Sequence, residues 1–525
     1  MVVAPWILSR VRFAVVVVLP LVPLVPAAAR ADVTRSESLR PDVEVTADTA
    51  AQFYDVRSPT GETILARRRV TTTIGVGAYD LIERPLDAPL GPELSFRARV
   101  RYDADYGANP AEADATSFSR LTPGFSRGPV DLMYGYVEGR RFLKGWLGFK
   151  LGRQYVTDSL GWWSFDGGQV KVTTPFFVAA EAYGGLEVRG GMPLSTARFE
   201  RDGIWRGDRT GYDPSLYPSF QPASIAPAFG AAVESVGLTW LHGRLSYRRV
   251  YNTGASNVSD FSNGLTRAAT YDGTRISQER LGYSIDANWA EHGGVKAAIA
   301  YDLYLGRVTS IYATSDAYVT DKLTLSLDYD FYQPSFDADS IWNFFAGEPM
   351  NDFGVRAAYD ATDKLSFSAN AHARMFRVQT APYAQGPGSF SSPNISATYN
   401  PNYYPSNGVA FDEGGGLAAR YRWGEGTVGV RGNGNFGDGG DRVGGDVYGE
   451  RIFETRYVAS GRASLWQWND KLRPDRDATS VGYVAGLGYL FASRSRALVE
   501  WDHNVNRLVG HRFRLMFWLT VAVTK

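Results

Sequence analysis

Between Glu93 and Asp103 every second residue is apolar. Leu94, Phe96, Ala98, Val100 and Tyr102 alternate with Glu93, Ser95, Arg97, Arg99, Arg101 and Asp103. Successive side chains of a strand point to opposite faces, so this segment builds one apolar and one charged face. The same period recurs along the chain. Leu323, Leu325, Leu327, Tyr329 and Phe331 oppose Lys322, Thr324, Ser326, Asp328 and Asp330. Leu365, Phe367, Ala369, Ala371, Ala373 and Met375 oppose Lys364, Ser366, Ser368, Asn370, His372 and Arg374. Residues 280–289 and 512–523 repeat it, the first with Arg280 and Asp286, the second with Arg512 and Arg514, on the polar face.

These runs reach about ten residues, the length a tilted strand needs to cross a hydrocarbon layer. Strands of a soluble sandwich are shorter, at roughly 5–6 residues. The apolar faces also end in Tyr102, Trp289 and Tyr329, as interface anchors do. Slipping 93–103 by one residue would turn three arginines toward lipid, at about 2–4 kcal/mol each near the midplane. The charged faces are therefore expected to look inward, and the chain to be all-β: a single large antiparallel transmembrane β-barrel.

Composition agrees. Aromatics make up 14% of the chain, with 30 tyrosines and 13 tryptophans, enough for two interfacial girdles. There is no cysteine, which excludes disulfides, thiolate metal sites and c-type haem, and no cofactor is expected. Beyond residue 31 no apolar stretch approaches the ~20 residues of a membrane-spanning helix.

The first 31 residues have a different character. Arg10 and Arg12 precede an apolar run, Phe13 to Pro26, and Ala29-Arg30-Ala31 gives a small-x-small site before Asp32. That order is a secretory signal peptide. An uncleaved anchor fits less well, since the run is short and broken by Pro20 and Pro23. The leader carries three arginines and no acid, so the 55 basic residues fall to 52 against 55 acidic ones in the mature barrel, 32–525. Such a balance gives no bulk attraction to nucleic acid.

Short polar turns are expected at Thr320–Lys322, Glu291–Gly294, Ala361–Lys364, Leu241–Gly243, Gly424–Gly426 and Ser493–Arg496. Longer connections fall near 105–128, 190–226, 253–274, 334–350 and 378–408. Counting back from the last strand places all the long ones on one side, as in barrels with short periplasmic turns and long extracellular loops. The count is about 22 strands, with 18 to 24 compatible. Strand boundaries are blurred near 128–173 and 437–455, where glycines suggest bulges. Only about ten residues separate Asp32 from the first strand.

With these segments in view, the chain resembles Gram-negative outer-membrane β-barrels of the porin-like class, over nearly all of 32–525. The resemblance rests on pattern and on no single motif. It implies an outer-membrane location, contact with outer-membrane lipids, and recognition of the last strand by the barrel-assembly machinery. That strand departs from the pattern by ending Val523-Thr524-Lys525, with no terminal aromatic. TonB-dependent transporters have barrels of similar strand number but place a plug domain of over a hundred residues first, for which there is no room.

Alternation sends Arg97, Arg99 and Arg101 inward as a ladder, together with Arg280, Asp286, Asp328, Asp330, Arg356, His372, Arg374, Arg420, Arg462, Arg512 and Arg514. They are the expected lumen lining, either as a path for anionic or hydroxyl-rich solutes or as paired charges bracing a wet wall. A barrel this wide needs a constriction. The loop 190–226, with Trp205, Arg206, Asp208 and Arg209, is the candidate. The expected activity is passive passage of small polar or anionic solutes. Homo-oligomerisation or a periplasmic partner is compatible with the pattern.

Two other functions are open. A scaffold could sheath or dock another envelope protein in its lumen. An outer-membrane lipid hydrolase would need a histidine and a serine on the lipid face. Of the five histidines, His503 falls on that face, but no two stand at metal-ligand spacing and no serine is well placed.

Overall fold

The computed structural model describes residues 38–39, 42–85, 91–105, 130–188, 226–253, 256–260, 267–271, 273–335, 349–377, 409–438, 440–471, 477–492 and 494–524. The first strands are β1 (Ser38–Leu39), β2 (Asp42–Arg57), β3 (Thr63–Tyr79), β4 (Arg84–Pro85), β5 (Glu93–Asp105), β6 (Val130–Phe142), β7 (Leu147–Asp158), β8 (Gly161–Thr173) and β9 (Val178–Glu187). There follow β10 (Pro227–Ser235), β11 (Leu241–Asn252), β12 (Ser256–Asp260), β13 (Arg267–Tyr271), β14 (Arg275–Trp289), β15 (Gly293–Asp302), β16 (Arg307–Thr320), β17 (Leu323–Tyr332) and β18 (Met350–Asp360). The rest are β19 (Leu365–Arg377), β20 (Val409–Trp423), β21 (Gly426–Gly437), β22 (Gly440–Phe453), β23 (Tyr457–Asp470), β24 (Ala478–Ala492), β25 (Ser495–Asn506) and β26 (Gly510–Thr524).

Strands β1 and β4 form one small sheet and β12 and β13 another. The remaining 22 make one closed antiparallel barrel in chain order, sealed where β2 pairs with β26. Closure leaves no edge of unpaired backbone groups, the condition for a sheet to stand in hydrocarbon. Several strands exceed the expected ten residues; β2 has 16 and β3 has 17.

Which face is inside follows from which side chains converge. Arg99 of β5 reaches Asp48 of β2 across β3 at 2.5 Å. Lys171 of β8 meets Glu234 of β10 across β9, and Arg244 of β11 meets Glu181 of β9 across β10 at 2.7 Å. Side chains can bridge an intervening strand on a concave surface, where they lean together. The charged face is thus the lumen. The convex face carries Leu417, Leu487 and Val233 at 71%, 70% and 50% exposure, among many other apolar side chains. A closed sheet with an apolar outer band and a polar interior is a transmembrane β-barrel.

The five long connections all join strands at the same end, as expected, and the C-terminus of β26 lies at the other. The long-loop end also has short links, among them 58–62, 303–306 and 507–509. One expected turn is displaced. Residues 241–243 begin β11, and the link is 236–240, where Gly237 adopts φ 77°. The left-handed glycine makes the turn there.

Candidate functional site in the barrel lumen

The expected lining residues all occupy the concave face, and most are already engaged. Arg99 bonds Asp48 at 2.5 Å and donates to the Thr73 hydroxyl at 2.7 Å. Arg97 lies over the Tyr79 ring at 5.1 Å, and Arg101 is buried. Arg356 grips Asp328 with two bonds of 2.8 and 2.9 Å, while the Thr314 hydroxyl donates to the same carboxylate at 2.8 Å. Arg374 holds Asp352 at 2.6 Å. Arg280 stands 3.5 Å from Asp302, and Lys296 3.5 Å from Asp286. Arg514 reaches Asp502 at 2.8 Å. Arg462 and Arg431 share Asp446, at 3.5 and 2.5 Å. Arg420 and Arg512 are exposed to the lumen with no carboxylate partner among the described residues.

The expected set falls into separate regions of wall. Asp328, Asp330, Arg356, His372 and Arg374 come together on β17–β19, lining one recess with Tyr312 and Asn370. Arg97, Arg99 and Arg101 lie across the β2–β26 seam, nearer Arg512 and Arg514. The lumen therefore offers alternating fixed charges along its circumference, held by paired carboxylates. Neutralising Asp446 would leave Arg431 and Arg462 without their shared counter-ion. Asp446→Asn is expected to shift the reversal potential under a salt gradient toward anion preference; an unchanged potential would mean that these arginines do not face the ion path.

Trp205, Arg206, Asp208 and Arg209 lie outside the described residues. A different element enters the lumen. The turn Ser159–Leu160, between β7 and β8, lies against β11 and β14 on the concave side. The Leu160 carbonyl accepts from Arg248 of β11 at 2.9 Å, and a Cβ at Gly282 of β14 would meet Leu160 at 2.6 Å. A side chain at 282 would displace the Ser159 hydroxyl and the Leu160 methyls from where they rest. Behind it, Trp163 stacks on Phe165 at 4.5 Å and both pack on Tyr183, with Val156, Ala228 and Val250 completing a buried cluster. Glu187 fixes the Trp163 indole N–H at 3.0 Å. Sequence reasoning missed this turn. Its signal was present: Leu160, Trp163 and Phe165 place apolar bulk at a hairpin tip, on the face that is charged in neighbouring strands.

A second unforeseen feature is aromatic. Trp466 and Trp468 of β23 share the inward face with Arg462, and Arg442 lies over the Trp466 ring at 4.2 Å. Trp468 is half exposed. On the outer face, His503 bonds Tyr483 at 2.5 Å and His511 at 3.2 Å. Among the described residues no serine hydroxyl bonds either imidazole.

No family model matches the chain, and no curated protein matches it. Solved structures similar in outline include Acinetobacter baumannii OccAB4, 7% identical, with 93% of this chain and 99% of that chain covered at a TM-score of 0.41. Pseudomonas aeruginosa OpdK, solved with vanillate, is 10% identical over 92% and 99% at 0.37. A BenF-like porin from Pseudomonas fluorescens Pf-5 is 8% identical over 92% and 99% at 0.40. Likenesses this loose transfer no property to the present chain.

Proposed function

We propose that the protein is an outer-membrane channel for passive passage of small polar or anionic solutes, exported by a leader at residues 1–31 and assembled through β26. One observation carries the reading: the 22-stranded closed wall turns its charged face to the lumen and its apolar face outward. Barrels of 16–18 strands already leave an aqueous lumen, so side chains alone do not fill one of 22. Fixed, paired charges hydrate such a path without trapping a solute. The Ser159–Leu160 turn narrows one side and makes a wide sheath for another protein the poorer reading.

The test is planar-bilayer conductance of the refolded barrel 32–525. Stable discrete steps are expected, with weak ionic selectivity because most lining arginines have a carboxylate beside them. A folded barrel that conducts nothing would overturn the channel reading and bring the docking scaffold forward.

A further inference from the structure

Two rows of lumen-facing residues cross β19 to β23 near the long-loop end. Register aligns Asn370, Gly416, Asn433, Gly444 and Trp466 in the lower row. One step closer to the rim it aligns His372, Gly414, Asn435, Arg442 and Trp468. Neither row carries a carboxylate, whereas the wall around them is built of ion pairs: Arg431 and Arg462 with Asp446 below, Arg374 with Asp352 beside. Glycine gives the rows their relief. A Cβ at Gly416 would run into the amide oxygens of Asn433 and Asn370, and one at Gly414 into the Asn435 amide oxygen and the His372 ring. These side chains therefore lie flat over β20. A Cβ at Gly444 would stand 2.7 Å from the Trp466 indole, which leans over it. Arg442 covers one face of that indole at 4.2 Å, while Trp468 is 47% exposed.

Among the described residues, the side chains of Asn370, Asn433, Asn435, His372 and Arg442 make no hydrogen bond or ion pair. Their polar groups are left for the lumen. A carboxamide offers two N–H donors and a carbonyl acceptor, the complement of a hydroxyl, which both gives and takes. Paired charges suit ions; free amides suit uncharged, hydroxyl-rich molecules. Trp468 supplies the other half of the surface, an apolar, electron-rich ring face against which a flat run of C–H groups packs. A sugar ring presents both, C–H groups on its faces and hydroxyls around its edge. Trp468 and Asn435 stand two strand spacings apart, about 10 Å along the wall, with the Arg442 fork between them. That span accommodates two linked rings.

We infer that these two rows are a binding site for a neutral disaccharide near the long-loop mouth of the lumen. One ring stacks on Trp468, and Arg442, Asn433 and Asn435 hold the hydroxyls of that ring and the next. Asn370 and His372 extend the polar surface toward β18. The inference deepens the proposed channel by naming a solute class, and it rests on that reading.

Purified protein in detergent is titrated with maltose, cellobiose, lactose and sucrose, and saturation transferred from protein to sugar is read by NMR. At least one of these sugars should bind, with the strongest transfer to the C–H protons of a ring face. W468A should weaken binding about tenfold, and N433A/N435A about fivefold for each amide lost. W501F, on the outer face of β25, should leave it unchanged. Heat-modifiable gel mobility reports whether each variant is folded, and the amide variant decides the matter if W468A is not. Binding of none of the sugars, or binding indifferent to both W468A and N433A/N435A, would overturn the site. Benzoate displacing the sugar at a lower concentration would assign the platform to planar aromatic acids and overturn the saccharide as its occupant. Binding is read without current. Sugar binding by a barrel that does not conduct would sink the channel alone, and conducting steps without sugar binding would sink this site alone.

Discussion

Phe165→Ala should destabilise the barrel by about 3–5 kcal/mol, the cost of removing a large buried aromatic ring from a packed cluster. Phe165 is fully buried although it sits on the lumen face of a channel wall. Its neighbours Trp163, Tyr183 and Val250 enclose it, and together they anchor the turn Ser159–Leu160. Urea-induced unfolding in vesicles, followed by tryptophan fluorescence, measures the loss. The same variant should make single-channel current noisier, because a loosened turn samples more positions in the lumen. A destabilisation below 1 kcal/mol would mean that water reaches Phe165 and that the turn is not held where it lies.

Leu487→Arg carries the other large effect. Leu487 is in the middle of β24, 70% exposed, on the convex face. In a bilayer an arginine there should cost about 2–4 kcal/mol. Three residues away, Val484 faces the lumen between Arg462 and Asp502 in register. Val484→Arg should cost far less, since the lumen is wet and Asp502 is near. Paired measurements of unfolding in the same vesicles decide it. Equal costs at the two positions would contradict the assignment of inside and outside.

Much of the barrel was legible in the sequence because period two has a single structural meaning. In β5 a one-residue slip would expose three arginines to lipid, so the face of Arg97, Arg99 and Arg101 was determined before any contact was known. The same holds for Asp328 and Asp330 in β17 and for Arg374 in β19. What alternation does not contain is depth. Arg57, Arg68, Arg153 and Arg249 break the rule that charges turn inward, because they lie near the long-loop rim, where the outer surface meets headgroups and water. Nor does it contain curvature. The apolar bulk of Leu160, Trp163 and Phe165 marks the hairpin tip as unusual, but where that tip comes to rest depends on Gly282, four barrel strands from β8. The ion pairs were half legible: the acids and bases were placed on the correct face, but Arg99 choosing Asp48 across β3 is a property of the concave wall.

The seam has a kinetic consequence. Every other strand of the barrel pairs with a neighbour a few to some tens of residues away, whereas β2 must wait for β26 at the far end of the chain. Chain-closure entropy grows with the logarithm of the enclosed length, so this last pairing starts about 3 kcal/mol behind a local hairpin. Until it forms, the two terminal strands present 16 and 15 residues of unsatisfied edge. A partly built wall is therefore both slow to finish and adhesive. The time between export and closure is when the chain is most exposed to proteolysis and to pairing with a second copy, and a truncation of β26 should be felt as loss of yield rather than as a leakier pore.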